Sequence, residues 1–361
     1  MKTFYNPHHA LHDGQQEMFR GRLVPCHEMP ARVEGVLAEL VRWPLGEVLA
    51  PALLDAEVDA ALRRVHSERY LGFLARAWDD WVAMDPANAL RDALPSIWPL
   101  GSPGGFRMDR LPANFSARLG LFASDSGTPL MAGTWKAART GAACALAAAQ
   151  DVLAGSPSAF ALTRPPGHHA GPEYLGGYCF LNNGAIAAQA LRDGGMDRVA
   201  ILDVDYHHGN GTQTIFYERG DVLTISIHAD PTVEFPFYLG HAEERGLGLG
   251  EGFNFNLPLP LGTGFAAWRA ALEQAMRAVR DFGADGLVVP MGLDTFAGDP
   301  ISSFALQSHD YTTVGEALAS LALPTVFTLE GGYAVAELGF HAVSLLQGFV
   351  QPSRPAAPHS T

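Results

Sequence analysis

The chain has 361 residues, 48% hydrophobic and 17% charged, with a formal net charge of -14. This composition supports a buried core and excludes a disordered chain, and the acidic balance disfavours nucleic acid, whose phosphates need clustered Lys and Arg. No apolar run reaches membrane-spanning length, the N-terminus lacks a signal peptide's apolar stretch, and the three cysteines are too few and too scattered for a disulfide framework, so a cytoplasmic protein is expected.

The first 130 residues are irregular. Ala31 to Val41 and Asp55 to Val65 have helical spacing, whereas 78–133 is rich in Trp, Pro and Gly and contains no strong strand. A segment of that length inside a domain is usually functional or an interface. Thr134 is placed to cap an Ala-rich helix ending near Gly155. From there strands and helices alternate: Ala159 to Thr163 (strand), Leu181 to Asp193 (helix), Arg198 to Val204 and Val222 to His228 (strands). Phe265 to Asp281 (helix), Gly286 to Met291 (strand), His309 to Leu321 (helix), Thr325 to Leu329 (strand) and a last helix to about Phe349 follow. Continuously apolar strands separated by helices mean a parallel sheet covered on both faces, an α/β domain. The polar tail, 352–361, is expected to fray.

Ionisable residues gather where strands end. His168 and His169 follow one strand, Asp203, Asp205 and His207 end another, and Asp294 and the run Glu330 to Tyr333 follow two more. Ligands bind outside the carboxyl ends of parallel strands, so these four segments should share one crevice. In ILDVDYHHGN, alternation along a strand puts residues 203, 205 and 207 on one face. Two carboxylates and an imidazole buried together are costly unless a cation joins them. Asp205 and His207 with Asp294 give an O, N, O set with a fourth position open, as in a catalytic zinc site. Manganese and iron also suit such a set. His8, His9, His12 and His27 are read as scattered surface histidines, and Cys179 as a small packed side chain.

The runs RPPGHHA (164–170), GGYCFLNN (176–183), ILDVDYHHGNGTQ (201–213), LTISIH (223–228), LDTFAGDPIS (293–302) and EGGY (330–333) resemble the zinc-dependent histone deacetylase superfamily. Within it, the chain is most similar to bacterial acetylpolyamine amidohydrolases. The resemblance implies an arginase-like single domain over 1–351, with a mostly parallel sheet of about eight strands. It implies one Zn2+ per subunit on Asp205, His207 and Asp294, and a structural K+ or Na+ held by Asp203, Ser226 and backbone around Asp205, His207 and Ile227. It also implies tandem catalytic histidines, His168 paired with Asp203 and His169 backed by Asn210. The neutral Asn210 against the anionic Asp203 should make the two histidines differ in basicity. Tyr333 becomes an oxyanion donor on a Gly331-Gly332 hinge, and Tyr178, Phe235 and Ile301 line a substrate channel.

The implied activity is removal of acetyl groups from small acetylated amines. Alternatives are a lysine deacetylase, a hydrolase of non-acetyl amides and a non-catalytic binder. The resemblance further implies a homodimer in which 78–133, anchored by Trp78, Trp81 and Trp98, narrows the partner's channel. Glutamates that read a distal ammonium in such enzymes are replaced here by Ser116 and Gly127, leaving Asp109 and Asp125 as candidate substitutes.

Overall fold

The computed structural model describes residues 1–99 and 107–351. The expected tail at 352–361 lies outside them. The strands are β1 (Lys2–Tyr5), β2 (Gln16–Phe19), β3 (Arg22–Pro25), β4 (Val48–Leu49), β5 (Ser158–Leu162), β6 (Val199–Asp203), β7 (Val222–Ala229), β8 (Asn254–Leu259), β9 (Gly286–Met291) and β10 (Thr325–Leu329). Eight form one sheet in the order β4-β1-β5-β10-β9-β6-β7-β8, with every neighbouring pair parallel. β2 and β3 form a separate antiparallel hairpin.

The alternation of side chains sets the two layers. Ala159 and Ala161 of β5, with Val199 and Ile201 of β6, face one core, against helices Asp55–Arg63, Glu68–Met84, Thr134–Leu153 and Asn183–Asp193. Phe160, Leu162, Ala200 and Leu202 face the other, against Ala31–Arg42, Phe265–Phe282, Asp310–Ala319 and Val335–Val350. The Ala-rich face of Thr134–Leu153 leaves little bulk to hold that helix off the sheet, and the stretch 141–149 is buried throughout.

Several expectations are corrected. Thr134 is the first helical residue and not the cap; its Oγ1 accepts from Met131 N–H (2.9 Å) and meets His12 Nδ1 (3.0 Å). Helix Asn183–Asp193 starts two residues later than expected because Asn182 caps it, accepting from Ala185 N–H (2.9 Å). The irregular N-terminal region supplies β1 and β4. The seventeen-residue helix Glu68–Met84, capped by Ser67, runs through position 78, where the insertion was expected to begin. Trp78 and Trp81 pack on this chain's own core, Trp81 Nε1 donating to Arg91 O (3.0 Å); Trp98 is exposed.

Candidate active site

The four central strands, β5, β10, β9 and β6, are contiguous in the sheet. The loops leaving their carboxyl ends carry, in that order, the tandem histidines, Glu330 to Tyr333, Asp294, and Asp205 with His207. Side chains remote in sequence thus converge at one end of the sheet.

Strand β6 ends at Asp203, so Asp205 and His207 occupy a loop and not the pleated strand that the spacing predicts. Each carboxylate holds the chain two residues on: Asp203 Oδ1 accepts from Asp205 N–H (3.1 Å) and Asp205 Oδ1 from His207 N–H (2.8 Å). Asp294 Oδ1 accepts from Tyr206 N–H (2.9 Å), while its Oδ2 lies 3.0 Å from His207 Nδ1. Asp205 Oδ1 is 3.4 Å from the same nitrogen. Donor atoms of Asp205, His207 and Asp294 all lie within 4.8 Å of one another. The two carboxylates are fully buried. Burial, and then Asp205, push Asp294 up to about 7 against the opposing pull of His207, as expected for two carboxyls buried side by side. The backbone leaves room for the cluster: a Cβ on Gly331 would sit 2.4 Å from Asp294 Oδ2 and 2.6 Å from Asp205 Oδ2. This donor set fits a divalent cation.

A second group, His168, Cys179 and Glu330, is equally close, but its atoms are engaged. Glu330 Oε2 accepts from Gly167 N–H (2.6 Å) and His168 N–H (3.0 Å), and Oε1 accepts from Thr328 Oγ1 (2.9 Å). Burial holds the Cys179 thiol far above its ordinary value, so it stays protonated.

The His168 and His169 rings lie 4.0 Å apart between centroids, tilted by 44°. His168 Nδ1 donates to Asp203 Oδ2 (3.0 Å) and His169 Nδ1 to Asn210 Oδ1 (2.6 Å). Burial opposes charge on both rings. For His168, Asp205 and Asp203 overcome it and raise the pKa to about 10. For His169, burial is reinforced by His168 and His207, and the pKa falls well below its ordinary value. The two rings differ in basicity, but the difference comes from burial, Asp205 with Asp203, and the neighbouring imidazoles rather than from Asn210, which raises His169; the neutral His169 ring, its Nδ1–H committed to Asn210, keeps Nε2 as an acceptor.

Hydrogen bonds hold the Glu330 to Tyr333 loop on several sides. Gly331 N–H donates to Asp205 Oδ2 (2.8 Å) and Tyr333 N–H to Asp299 Oδ2 (2.7 Å). The fully buried Arg32 donates to Gly332 O (2.7 Å) and to Glu330 O, and its guanidinium carbon lies 4.9 Å from the Tyr333 ring centre. Glu28 binds both Arg32 (2.9 Å) and Arg164 (2.8 Å).

A cleft of about 320 Å³ opens onto these groups, lined by Tyr178, Phe235 and Ile301 together with His169, His207 and Tyr333. Phe235 stands edge-on to His169 at 4.9 Å, and Tyr178 to Tyr333 at 5.6 Å. Tyr178 OH donates to Glu17 Oε1 (2.9 Å), which His27 Nδ1 also approaches (2.6 Å). Asp125 lines the cleft as well, but Asp109 is exposed and paired with Arg107. Gly127 lies in the lining and Ser116 does not. Asp203 and Ser226 are register partners on β6 and β7, and Ser226 Oγ bonds His228 Nδ1 (2.8 Å) beside the buried Ile227.

The surface reading of the N-terminal histidines is overturned for His9 and His12, which are buried. The His12 ring meets Phe180 edge-on at 5.2 Å, and burial lowers its pKa to about 4. His8 and His27 are half-buried. Arg32, Glu28 and Asp299 were not singled out from sequence, and Glu330 only as the first residue of the run after the last strand; Glu28 and Arg32 lie outside the motifs that carry the resemblance, and Asp299 lies inside one of them with no role read for it.

Residues 26–348 match the histone deacetylase domain. The chain is similar to acetylpolyamine amidohydrolase 2 of Pseudomonas aeruginosa, with 50% identity covering 97% of this chain and 98% of that one. It is 42% identical to the acetylpolyamine amidohydrolase of Mycoplana ramosa, covering 96% and 99%. The crystal structure of an acetylpolyamine aminohydrolase from Burkholderia pseudomallei superposes with a TM-score of 0.90 at 39% identity, covering 97% and 99%.

Proposed function

The chain belongs to the histone deacetylase family, and from that premise we propose that it is a zinc-dependent amidohydrolase that removes acetyl groups from small acetylated amines, acetylpolyamines foremost. One observation carries the reading: two unlike histidines, a buried O, N, O donor set and Tyr333 meet at a cleft that Tyr178, Phe235 and Ile301 help to line. The near full-length likeness to acetylpolyamine amidohydrolases supports the substrate class.

In this reading Asp205, His207 and Asp294 would hold the zinc ion. When bound, zinc supplies Lewis acidity, which acidifies water and polarises the acetyl carbonyl. Tyr178 and Phe235 flank the alkyl chain and exclude water from it. His169 Nε2 accepts the proton of the attacking water and returns it to the leaving amine. His168, held charged by Asp203, orients the water and offsets developing negative charge. Tyr333 OH donates to the oxyanion, in a position fixed by Arg32, Asp205 and Asp299. Asp203 and Ser226, with backbone at Asp205, His207 and Ile227, are assigned a structural K+ or Na+. Residues 78–133 are assigned the contact of a homodimer. Unpaired cysteines fit a reducing compartment.

The test is a paired kcat/KM determination on N-acetylputrescine and an acetyl-lysine peptide with zinc-loaded enzyme. Preference for the diamine is expected. A strong preference for the peptide would replace the substrate class, and inactivity on both would overturn deacetylation.

A further inference from the structure

Building on that reading, we infer that Glu234 is the carboxylate that receives the substrate's distal ammonium, and that Arg20 occupies it as a displaceable internal cation in the free enzyme.

Among the described residues, Asp125 and Glu234 are the two carboxylates lining the cleft. Asp125 is committed to building the turn that carries Tyr178. Its Oδ1 accepts from Gly127 N–H (2.8 Å) and Thr128 Oγ1 (3.0 Å), and its Oδ2 from Gly177 N–H (2.5 Å). Glu234 is placed differently. Its Oε1 takes Phe235 N–H (3.0 Å), which fixes it beside the aromatic wall, and its Oε2 takes Tyr206 OH (3.0 Å). The remaining contact of Oε2 is a cation, Arg20 Nη2, at 3.4 Å. The carboxylate is buried while the Arg20 side chain is 66% exposed. A long contact from an exposed, flexible side chain is weak and salt-screened, so a second cation competes with it on equal terms.

The backbone under Arg20 points the same way. Arg20 and Gly21 form the two-residue turn of the β2–β3 hairpin, with φ of 47° and 79°. Such turns favour Asn or Asp before Gly, because both positions are left-handed. A long cationic side chain there breaks a local preference, and its guanidinium lies over Phe19 (5.1 Å to the ring centre) at the cleft. Local rules are broken where function gains from it. Ser116 and Gly127 then need no acidic side chain, because the charge that reads the ammonium comes from the loop before Phe235.

The experiment compares N-acetylputrescine with N-pentylacetamide, which has a methyl in place of the ammonium, in zinc-loaded full-length enzyme. The neutral amide needs the same acetyl chemistry and so carries any general damage. Glu234→Gln should lower the ratio of kcat/KM values, cationic over neutral, about tenfold or more, through KM. Arg20→Ala should raise that ratio about two- to fivefold, the effect lessening with added salt. An unchanged ratio in Glu234→Gln, or a lowered ratio in Arg20→Ala, overturns the inference while wild-type deacetylation stands. Wild-type inactivity on both amides removes the proposed function and this inference with it. If Glu234→Gln does not fold, Arg20→Ala, altering an exposed side chain, decides alone.

Discussion

Replacing Arg32 by leucine should both destabilise the protein and slow it. Arg32 is fully buried and donates to Glu330 O and Gly332 O, on either side of Gly331. Each charge-assisted bond to a buried carbonyl contributes about 1.5–3 kcal/mol, and a carbonyl left unpaired costs a similar amount. Glu28 would keep Arg164 at 2.8 Å, so the carboxylate is not stranded, and leucine recovers part of the loss by burying apolar surface. The net is about 3–5 kcal/mol, equivalent to a drop of about 1 M or more in the urea midpoint followed by circular dichroism. The loop also carries Tyr333, so kcat should fall about 100-fold, as when a reacting group is misplaced by an ångström. Arg32→Lys keeps the charge without the planar fork and should lie between. A leucine variant with wild-type midpoint and kcat would refute the reasoning.

Three further outcomes are expected. Tyr333→Phe should lower kcat about 100- to 1,000-fold while metal content, measured by elemental analysis, stays at the wild-type level; wild-type turnover would take Tyr333 out of the chemistry. Asp294→Ala should lose metal on dialysis, and full occupancy would contradict its assignment as a ligand. In metal-free protein the protonated His168 ring stabilises the fold, because its pKa is raised from 6.5 to about 10. That contribution is complete below about pH 6.5 and is lost as pH rises through about 10. Asp203→Asn should move the loss to lower pH in urea titrations run across that range, and superimposable pH profiles would remove Asp203 as the cause.

The four site-bearing strands were legible because each is mostly apolar, buried on both faces, and followed within a few residues by its ionisable residues. β8 was hidden by its polar alternation. Asn254 and Asn256 are buried, and their amides donate to Gln213 Oε1 at 2.9 Å each, so a polar pattern packs as a core strand. β1 and β4 are too short to show a period. His12 looked like surface because its partners, Thr134 and Phe180, are more than a hundred residues away. Arg32 escaped notice for the same reason, since it acts on carbonyls about three hundred residues on. The hairpin turn at Arg20 was missed because arginine is not a residue that announces a left-handed turn.

The interleaved strand order also has a consequence for biosynthesis. β1 is made first but pairs with β5, and the His168 loop is tied to Glu330, 162 residues later. Asp205 and His207, two of the three residues proposed to hold zinc, leave the ribosome well before Asp294, the third, and before Gly331, whose N–H braces Asp205. At roughly 5–20 residues per second, the nascent chain carries two of these three side chains without the third for several seconds or more. Completion of the donor set and closure of the sheet are therefore late, nearly simultaneous events, and truncated chains lacking β10 should neither fold nor retain zinc.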